Sequence, residues 1–263
     1  MNSLTAVKTG PLDWDFYQTA RDEFVGSIAL EILDAEKGKC ELRWEVSEGI
    51  FEFEEYVEAY QQAISFAIFD LKLTSVHTSC KVDDTATRVF YDTVGFLPGR
   101  EFNDGKFRYL RFSCDRYDLV RKLAESLMGK HLDLEVWSFG FDSAKKRLGV
   151  CKYEESLIAL SRYFVDLHSL AEIDQVMRHE IAHAMAGSKA GHSKKWKDIA
   201  TRIGYTHIKI SGDEIGNATA KLIGSCPNGH TVYRHRKPKS SLSCSKCSPR
   251  FDRRFLITWT IRH

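Results

Sequence analysis

Two clusters of histidine and cysteine carry the chemistry legible in this 263-residue sequence. The first is His179-Glu180-Ile181-Ala182-His183, followed by His192. Histidines four apart on a helix share one face, so both imidazoles can reach one ion. Zinc held by three side chains keeps a fourth position for water, and Glu180 stands where a base would take that water's proton. For His192 to supply the third ligand, the chain must leave the helix and turn back, which Gly187 and Gly191 allow. The chemistry predicted is zinc-assisted peptide hydrolysis, with Glu180 as general base. Val176, Ile181 and Met185, with Ala182, Ala184 and Ala186, give the segment the character of a buried helix. Core helices seldom bury His and Glu without a purpose, because unpaired buried polar groups are costly.

The second cluster is Cys226, His230, Cys244 and Cys247, spaced C-x3-H-x13-C-x2-C. Two knuckles giving two ligands each suit one tetrahedral structural zinc, and such a small tail would take much of its folding energy from the metal. His235 is a weaker candidate for the fourth ligand. Arg234, Arg236, Lys237 and Lys239 lie between the knuckles, and Arg250, Arg253 and Arg254 follow beside Phe251 and Phe255. Basic side chains interleaved with aromatics can hold phosphates and stack bases, so these seven are the predicted nucleic-acid contacts. The plainer alternative is a basic surface around a small core of Phe255, Ile257 and Trp259.

Charge favours the first option. Residues 217–263 carry 10 Lys/Arg and 1 Asp/Glu, whereas residues 1–114 carry 12 and 20, a swing from +9 to −8. A basic tail on an acidic body points to a polyanion partner, with DNA first among candidates. Seven cysteines, an odd number, argue against a disulfide framework, and Cys40, Cys80, Cys114 and Cys151 read as small buried hydrophobes. No apolar run of about 18 residues predicts a membrane span. The N-terminus does not read as a secretory signal, so the expected address is the cytoplasm, with nucleoid or DNA association as an option.

The elements that must position these residues follow from periodicity. Residues 26–36 and 40–48 read as strands joined by a Lys-Gly-Lys turn, and 52–71 as a helix with Phe53, Val57, Tyr60, Ile64 and Ile68 on one face. A strand, a short helix ended by Gly95 and a last strand at 106–114 complete an α/β or α+β region. A helix at 115–131 opens the next part, and strand-like stretches lead to the His-bearing helix, capped by Asp174 or the polar residues before it. Trp196, Ile199, Ala200 and Ile203 mark the helix after His192. The fold expected is multidomain α+β, divided at 1–114, 115–216 and 217–263.

Residues 147–204 resemble the SprT-like family, which includes the Spartan proteases that digest DNA–protein crosslinks. Gly149 and Cys151 match its "G.C" strand, Ile158–Ser161 its "I.LS" segment, and Gly191-His192 with Trp196 the stretch after the His-Glu helix. The resemblance implies a zincin-type metalloprotease domain with the ligands and base named above. The family commonly ends in a zinc ribbon with a C-x2-C first knuckle, but Gly229 stands here in place of the second cysteine, and His230 is the natural substitute. Residues 71–112 resemble the back half of a GNAT acyltransferase. The family's glycine-rich pyrophosphate loop is missing, and Gly49 sits among Glu48, Glu52, Glu54 and Glu55, which would repel a phosphate. The N-terminal domain is therefore expected to be non-catalytic, without acetyl-CoA. The implied activity is a zinc endopeptidase with one catalytic and one structural zinc, acting on DNA-associated protein. The alternatives are a non-proteolytic DNA- or protein-binding factor on the same scaffold, or an acyltransferase targeted by its C-terminal part.

Overall fold

The computed structural model describes residues 4–46, 53–208 and 210–262. The carboxylate-rich loop around Gly49 lies outside them. Among the described residues no helix is long and apolar enough to cross a membrane. The fold is mixed α+β. The chain divides into two compact units, residues 1–139 with 169–174, and residues 140–168 with 175–263.

The first unit is built on strands β1 (Leu4–Lys8), β2 (Asp13–Gln18), β3 (Glu23–Asp34), β4 (Lys39–Val46), β5 (Ser75–Lys81), β6 (Leu97–Asn103) and β7 (Arg108–Asp115), in the order β1-β2-β3-β4-β5-β7-β6. Every pairing is antiparallel except β4 with β5. That pair is joined through helix α1 (Phe53–Ser65), which runs into one wide π-turn at Phe66–Asp70. The predicted strands at 26–36 and 40–48 are β3 and β4, and Gly38 of the turn between them has φ +61°. Sequence reasoning passed over β1, β2 and β6. Five of the seven residues of β6 are charged, polar, Gly or Pro, and all seven are exposed, so no alternation marks it. Helix α2 (Thr85–Val94) is capped by Asp84 and ended by Gly95 at φ +115°. Helix α3 (Arg116–Gly129) follows β7 without a linker, and Asp115 and Asp118 form a reciprocal capping box at its start. Phe16, Ile28, Ile64, Ile68, Phe96 and Met128 are fully buried.

The remaining elements are β8 (Ser138–Asp142), β9 (Gly149–Lys152), β10 (Leu157–Ser161), α4 (Arg162–Leu167), α5 (Leu170–Ala186), α6 (Lys194–Arg202), α7 (Asp213–Thr219), β11 (Leu222–Ser225), β12 (Thr231–Arg234) and β13 (Thr258–Ile261). Two three-stranded sheets form, β8-β10-β9 and β12-β11-β13. Asp174 is not the cap of α5. The helix starts four residues earlier, where the Ser169 N–H and hydroxyl both donate to Glu172 and the Glu172 N–H donates back to Ser169 Oγ. The apolar Leu170-Ala171 pair hid that capping box from a search for the first polar residue. Gly187, at φ +91°, ends α5 as expected.

In the last sheet Gly224 lets strands close on a small core. A Cβ there would lie 2.5 Å from Ile257 Cγ2 and 2.9 Å from Trp259. Ile257 and Trp259 are themselves only half-buried, and Phe255 likewise, so apolar burial supplies little of this segment's stability.

Candidate metal centre

His179 and His183 project from one face of α5, and His192 arrives from the turn before α6. Gly191 makes that turn at φ +50°. The three Nε2 atoms are 3.1–3.2 Å apart. Two nitrogens held about 2.0–2.1 Å from one tetrahedral zinc would be about 3.3 Å apart, so the trio fits the ion closely. Burial lowers the pKa of His179 and His183 to about 4, and the neighbouring imidazoles push the same way. Both rings are therefore neutral at pH 7, the form that ligates a metal.

Packing holds this geometry. Trp196, 3% exposed, sets its indole against all three imidazoles, with ring centroids 4.8, 5.2 and 4.5 Å from His179, His183 and His192. The Tyr153 hydroxyl donates to the His183 carbonyl at 3.0 Å. Lys195 Nζ donates to the Ala186 carbonyl at 2.7 Å, placing a cation at the negative end of α5.

Glu180 is 7% exposed. Burial raises its pKa to about 7, opposed by the Arg147 charge and a hydrogen bond from the Cys151 N–H. It sits against β9 because Gly149 has no side chain. A Cβ there would lie 2.9 Å from Glu180 Cγ and 3.0 Å from Oε1. A cavity of about 270 Å³ opens beside Glu180 and His179, walled by Leu148, Val176, Ile208 and Ile210. Tyr205 lines it too, with its ring 5.4 Å from that of His179.

Sequence reasoning missed Tyr153, Tyr205 and His207 as neighbours of this site. Nothing in their spacing links them to α5, since tertiary packing alone brings them there. His207 adopts φ +58°, rare for a residue with a side chain. Its ring packs 4.9 Å from Tyr205, and its Nε2 lies 2.8 Å from Thr201 Oγ1. His168 is buried 4.6 Å from the Phe164 ring. Neither joins the trio.

The second cluster brings the Cys226, Cys244 and Cys247 sulfurs and His230 Nδ1 together. Cys226 and Cys247 sulfurs are 3.8 Å apart, and His230 Nδ1 lies 3.7, 3.6 and 3.2 Å from Cys226, Cys244 and Cys247. Ligands about 2.3 Å (sulfur) and about 2.0 Å (nitrogen) from one tetrahedral ion would show such separations. His235 instead lies 3.5 Å from Thr219 Oγ1. Burial raises the Cys226 thiol, but hydrogen bonds from the Asn228 and His230 N–H groups more than offset it, and its pKa falls.

Arg234, Arg236, Lys237, Lys239, Arg250, Arg253 and Arg254 are all exposed. Arg234 lies 5.8 Å over the half-buried Trp259 ring, a pairing of cation and stacking face. Arg254 is engaged by Asp252 through contacts of 2.7–3.2 Å, which leaves it less free than the others to meet a phosphate.

The trio, its buried carboxylate and the "G.C" strand all fall in one stretch that a known family shares. Residues 118–218 match the SprT-like family model. That SprT-like stretch holds the whole of the first cluster and none of the second. No curated protein matches the chain. Solved structures similar to it include acetyltransferases, and that similarity lies in the N-terminal part. A GNAT-family acetyltransferase from Bacillus anthracis is 16% identical with a TM-score of 0.36, the match covering 39% of this chain and 65% of that one. A spermidine N-acetyltransferase from Vibrio cholerae is 12% identical at 0.38, covering 45% and 72%. A GCN5-related N-acetyltransferase from Brucella melitensis is 16% identical at 0.40, covering 50% and 62%. The chain thus spans less than two thirds of the Bacillus and Brucella proteins.

Proposed function

We propose that this protein is a zinc-dependent endopeptidase acting on proteins associated with DNA. The observation that carries the reading is a buried carboxylate, Glu180, beside three convergent imidazoles. Zinc, when bound by His179, His183 and His192, supplies the Lewis acidity that polarises a scissile carbonyl and acidifies water. Glu180 then has two tasks. It takes the proton from the attacking water, and it returns that proton to the departing amine. A carboxylate in an apolar setting holds a proton more readily than one in water, which suits a group that must both accept and release it. Gly149 keeps the carboxylate in place, and Trp196 keeps the imidazoles from turning away.

In the same reading Cys226, His230, Cys244 and Cys247 hold a structural zinc, and the basic residues around them hold nucleic acid. The ribbon would then raise the local concentration of a DNA-bound protein at the zinc cleft. Residues 1–114, 115–216 and 217–263 would form a non-catalytic domain, the protease and the ribbon. The deciding experiment compares the parent with Glu180→Gln on a DNA-bound protein substrate and on an unfolded peptide. Cleavage by the parent and none by the variant supports the reading. Equal DNA binding by both, with no cleavage by either, would make the chain a binding factor on a protease scaffold.

A further inference from the structure

The cavity beside the histidine trio has a chemistry of its own. Outside Glu180, His179 and Tyr205, its walls are aliphatic: Leu148 just before β9, Val176 of α5, and Ile208 and Ile210 from the segment after α6. Gly149 lines it as well and adds no side chain to fill it, because a Cβ there would lie 3.0 Å from Val176 Cγ1. The volume of about 270 Å³ falls below the roughly 300–1,000 Å³ of sites that enclose a whole small ligand, and it suits a single amino-acid side chain. Ile208 is 60% exposed although it walls this apolar space. An apolar side chain seated in the cavity would take that surface out of water, which is favourable. A charged one fares worse. An aspartate or glutamate would face the Glu180 carboxylate in a poorly hydrated space, and a lysine would neutralise the base that the chemistry needs.

The path of the proton says which side of the scissile bond the cavity serves. Under the proposed chemistry Glu180 hands its proton to the departing amine, so that nitrogen must come within hydrogen-bond reach of the carboxylate. The side chain nearest the nitrogen belongs to the residue that leaves with the amine. The side chain of the acyl residue lies beyond the carbonyl carbon, farther from Glu180. A cavity with Glu180 in its wall therefore receives the first of these and not the second.

We propose that this cavity is the specificity pocket for the residue that follows the scissile bond, and that it takes a large apolar side chain such as leucine, methionine or phenylalanine. The inference rests on the endopeptidase reading and adds to it the class of bond that is cut. Leu148, Val176, Ile208 and Ile210 are then specificity-determining residues, none of them a metal ligand.

The test uses the full zinc-loaded chain and unfolded peptides identical except at one position, which carries leucine, alanine or aspartate. Cleavage mapped by mass spectrometry should fall on the bond just before leucine. Its kcat/KM should exceed that of the alanine peptide by at least about 10-fold, the usual effect of missing methylene groups in an apolar pocket, with the aspartate peptide lower still. Val176→Phe narrows the cavity and should reverse the order of leucine and alanine at unchanged zinc content. If that variant melts well below the parent, Ile208→Ser serves instead, since it changes an exposed position, and should shrink the leucine preference. Glu180→Gln protein titrated calorimetrically with the same peptides gives a readout independent of cleavage. It should bind the leucine peptide about 10-fold more tightly than the alanine peptide. Cleavage indifferent to the residue after the bond, or governed by the residue before it, overturns the pocket and leaves the endopeptidase reading standing. No cleavage of any peptide defeats that reading instead. The pocket is then decided by the binding series, where a leucine preference upholds it and equal or undetectable affinity at millimolar peptide overturns it.

Discussion

The first compact unit keeps its reactive side chains apart, whereas the second gathers them. In the sheet of the first unit, Cys40, Cys80 and Cys114 are each buried alone, and burial pushes all three thiols up, Cys40 to about 11. His77 is held below its ordinary value by burial, with Lys39 and Arg111 adding to the effect. In the second unit, three imidazoles converge on one point, and three sulfurs and an imidazole on another. The same residue types thus act as packing material or as ligands according to company. An isolated thiol in apolar surroundings stays protonated, while Cys226 and Cys244, fed by backbone N–H donors, are drawn toward the thiolate a metal needs, and burial pushes Cys247 up to about 11. The two clusters also differ from each other. His179 and His183 sit on a packed helix with His192 in the turn before the next, and the ribbon ligands sit in turns beside strands with little core.

The sharpest way to break this comparison is the Glu180→Gln substitution, which leaves every ligand in place. Peptide cleavage should fall by about 10²–10⁴-fold, the usual worth of a general base, while zinc content by mass spectrometry stays at the parent level. Loss of zinc with loss of cleavage would mean that the carboxylate supports the ligands instead of the chemistry.

Metal removal should separate the clusters. Purified protein should carry two zinc ions per chain, and a chelator should abolish amide-exchange protection across 217–263 while leaving α5 and the seven-stranded sheet protected. Cys244→Ser should reproduce the ribbon effect alone, and His183→Ala should cost one ion without unfolding. Uniform loss of protection in both clusters would show that packing does not hold the histidines in place.

A smaller effect is expected from neutralising Arg234, Arg236 and Lys237 together. The log–log salt slope of duplex DNA binding should flatten by about 2–3 units, since each lost phosphate contact contributes about 0.9. Arg254→Gln should change the slope less, because Asp252 already engages that guanidinium. Equal slopes for the triple variant and the parent would leave the +9 tail as ordinary solvated surface.

The smallest prediction concerns the sheet. His77 has a folded pKa below that of the unfolded chain, so the unfolded state takes up the proton first as pH falls through about 6.5. Stability is therefore full above that value and declines below it. The urea midpoint should drop between pH 7.5 and 5.5 by slightly more in the parent than in His77→Gln. Identical drops would show that His77 senses pH no differently once folded.

The sequence made the ligand clusters legible because both depend on local spacing. His179 and His183 share a helix face, and Cys244 and Cys247 share a knuckle. The strands β3 and β4 were legible through their alternating burial. What stayed hidden depends on distant residues. β6 is exposed throughout, so its role as an edge strand shows only in its pairing with β7. Tyr205 and His207 reach the histidine site through the turn after α6, and Trp196 could be placed in the core by its spacing but not against three imidazoles. Asp174 was a plausible cap by type, yet Ser169 and Glu172 form a pair that satisfies the helix end better.

Gly149 has a further consequence for genetics. Any larger side chain there must displace the Glu180 carboxylate, although it touches none of the three histidines. Under the proposed chemistry, a missense allele at this codon would yield a protein that is abundant, metallated and able to grip its target, yet inert. Produced alongside the parent, it would compete for the same sites without clearing them, so its phenotype would be dominant where a deletion is recessive.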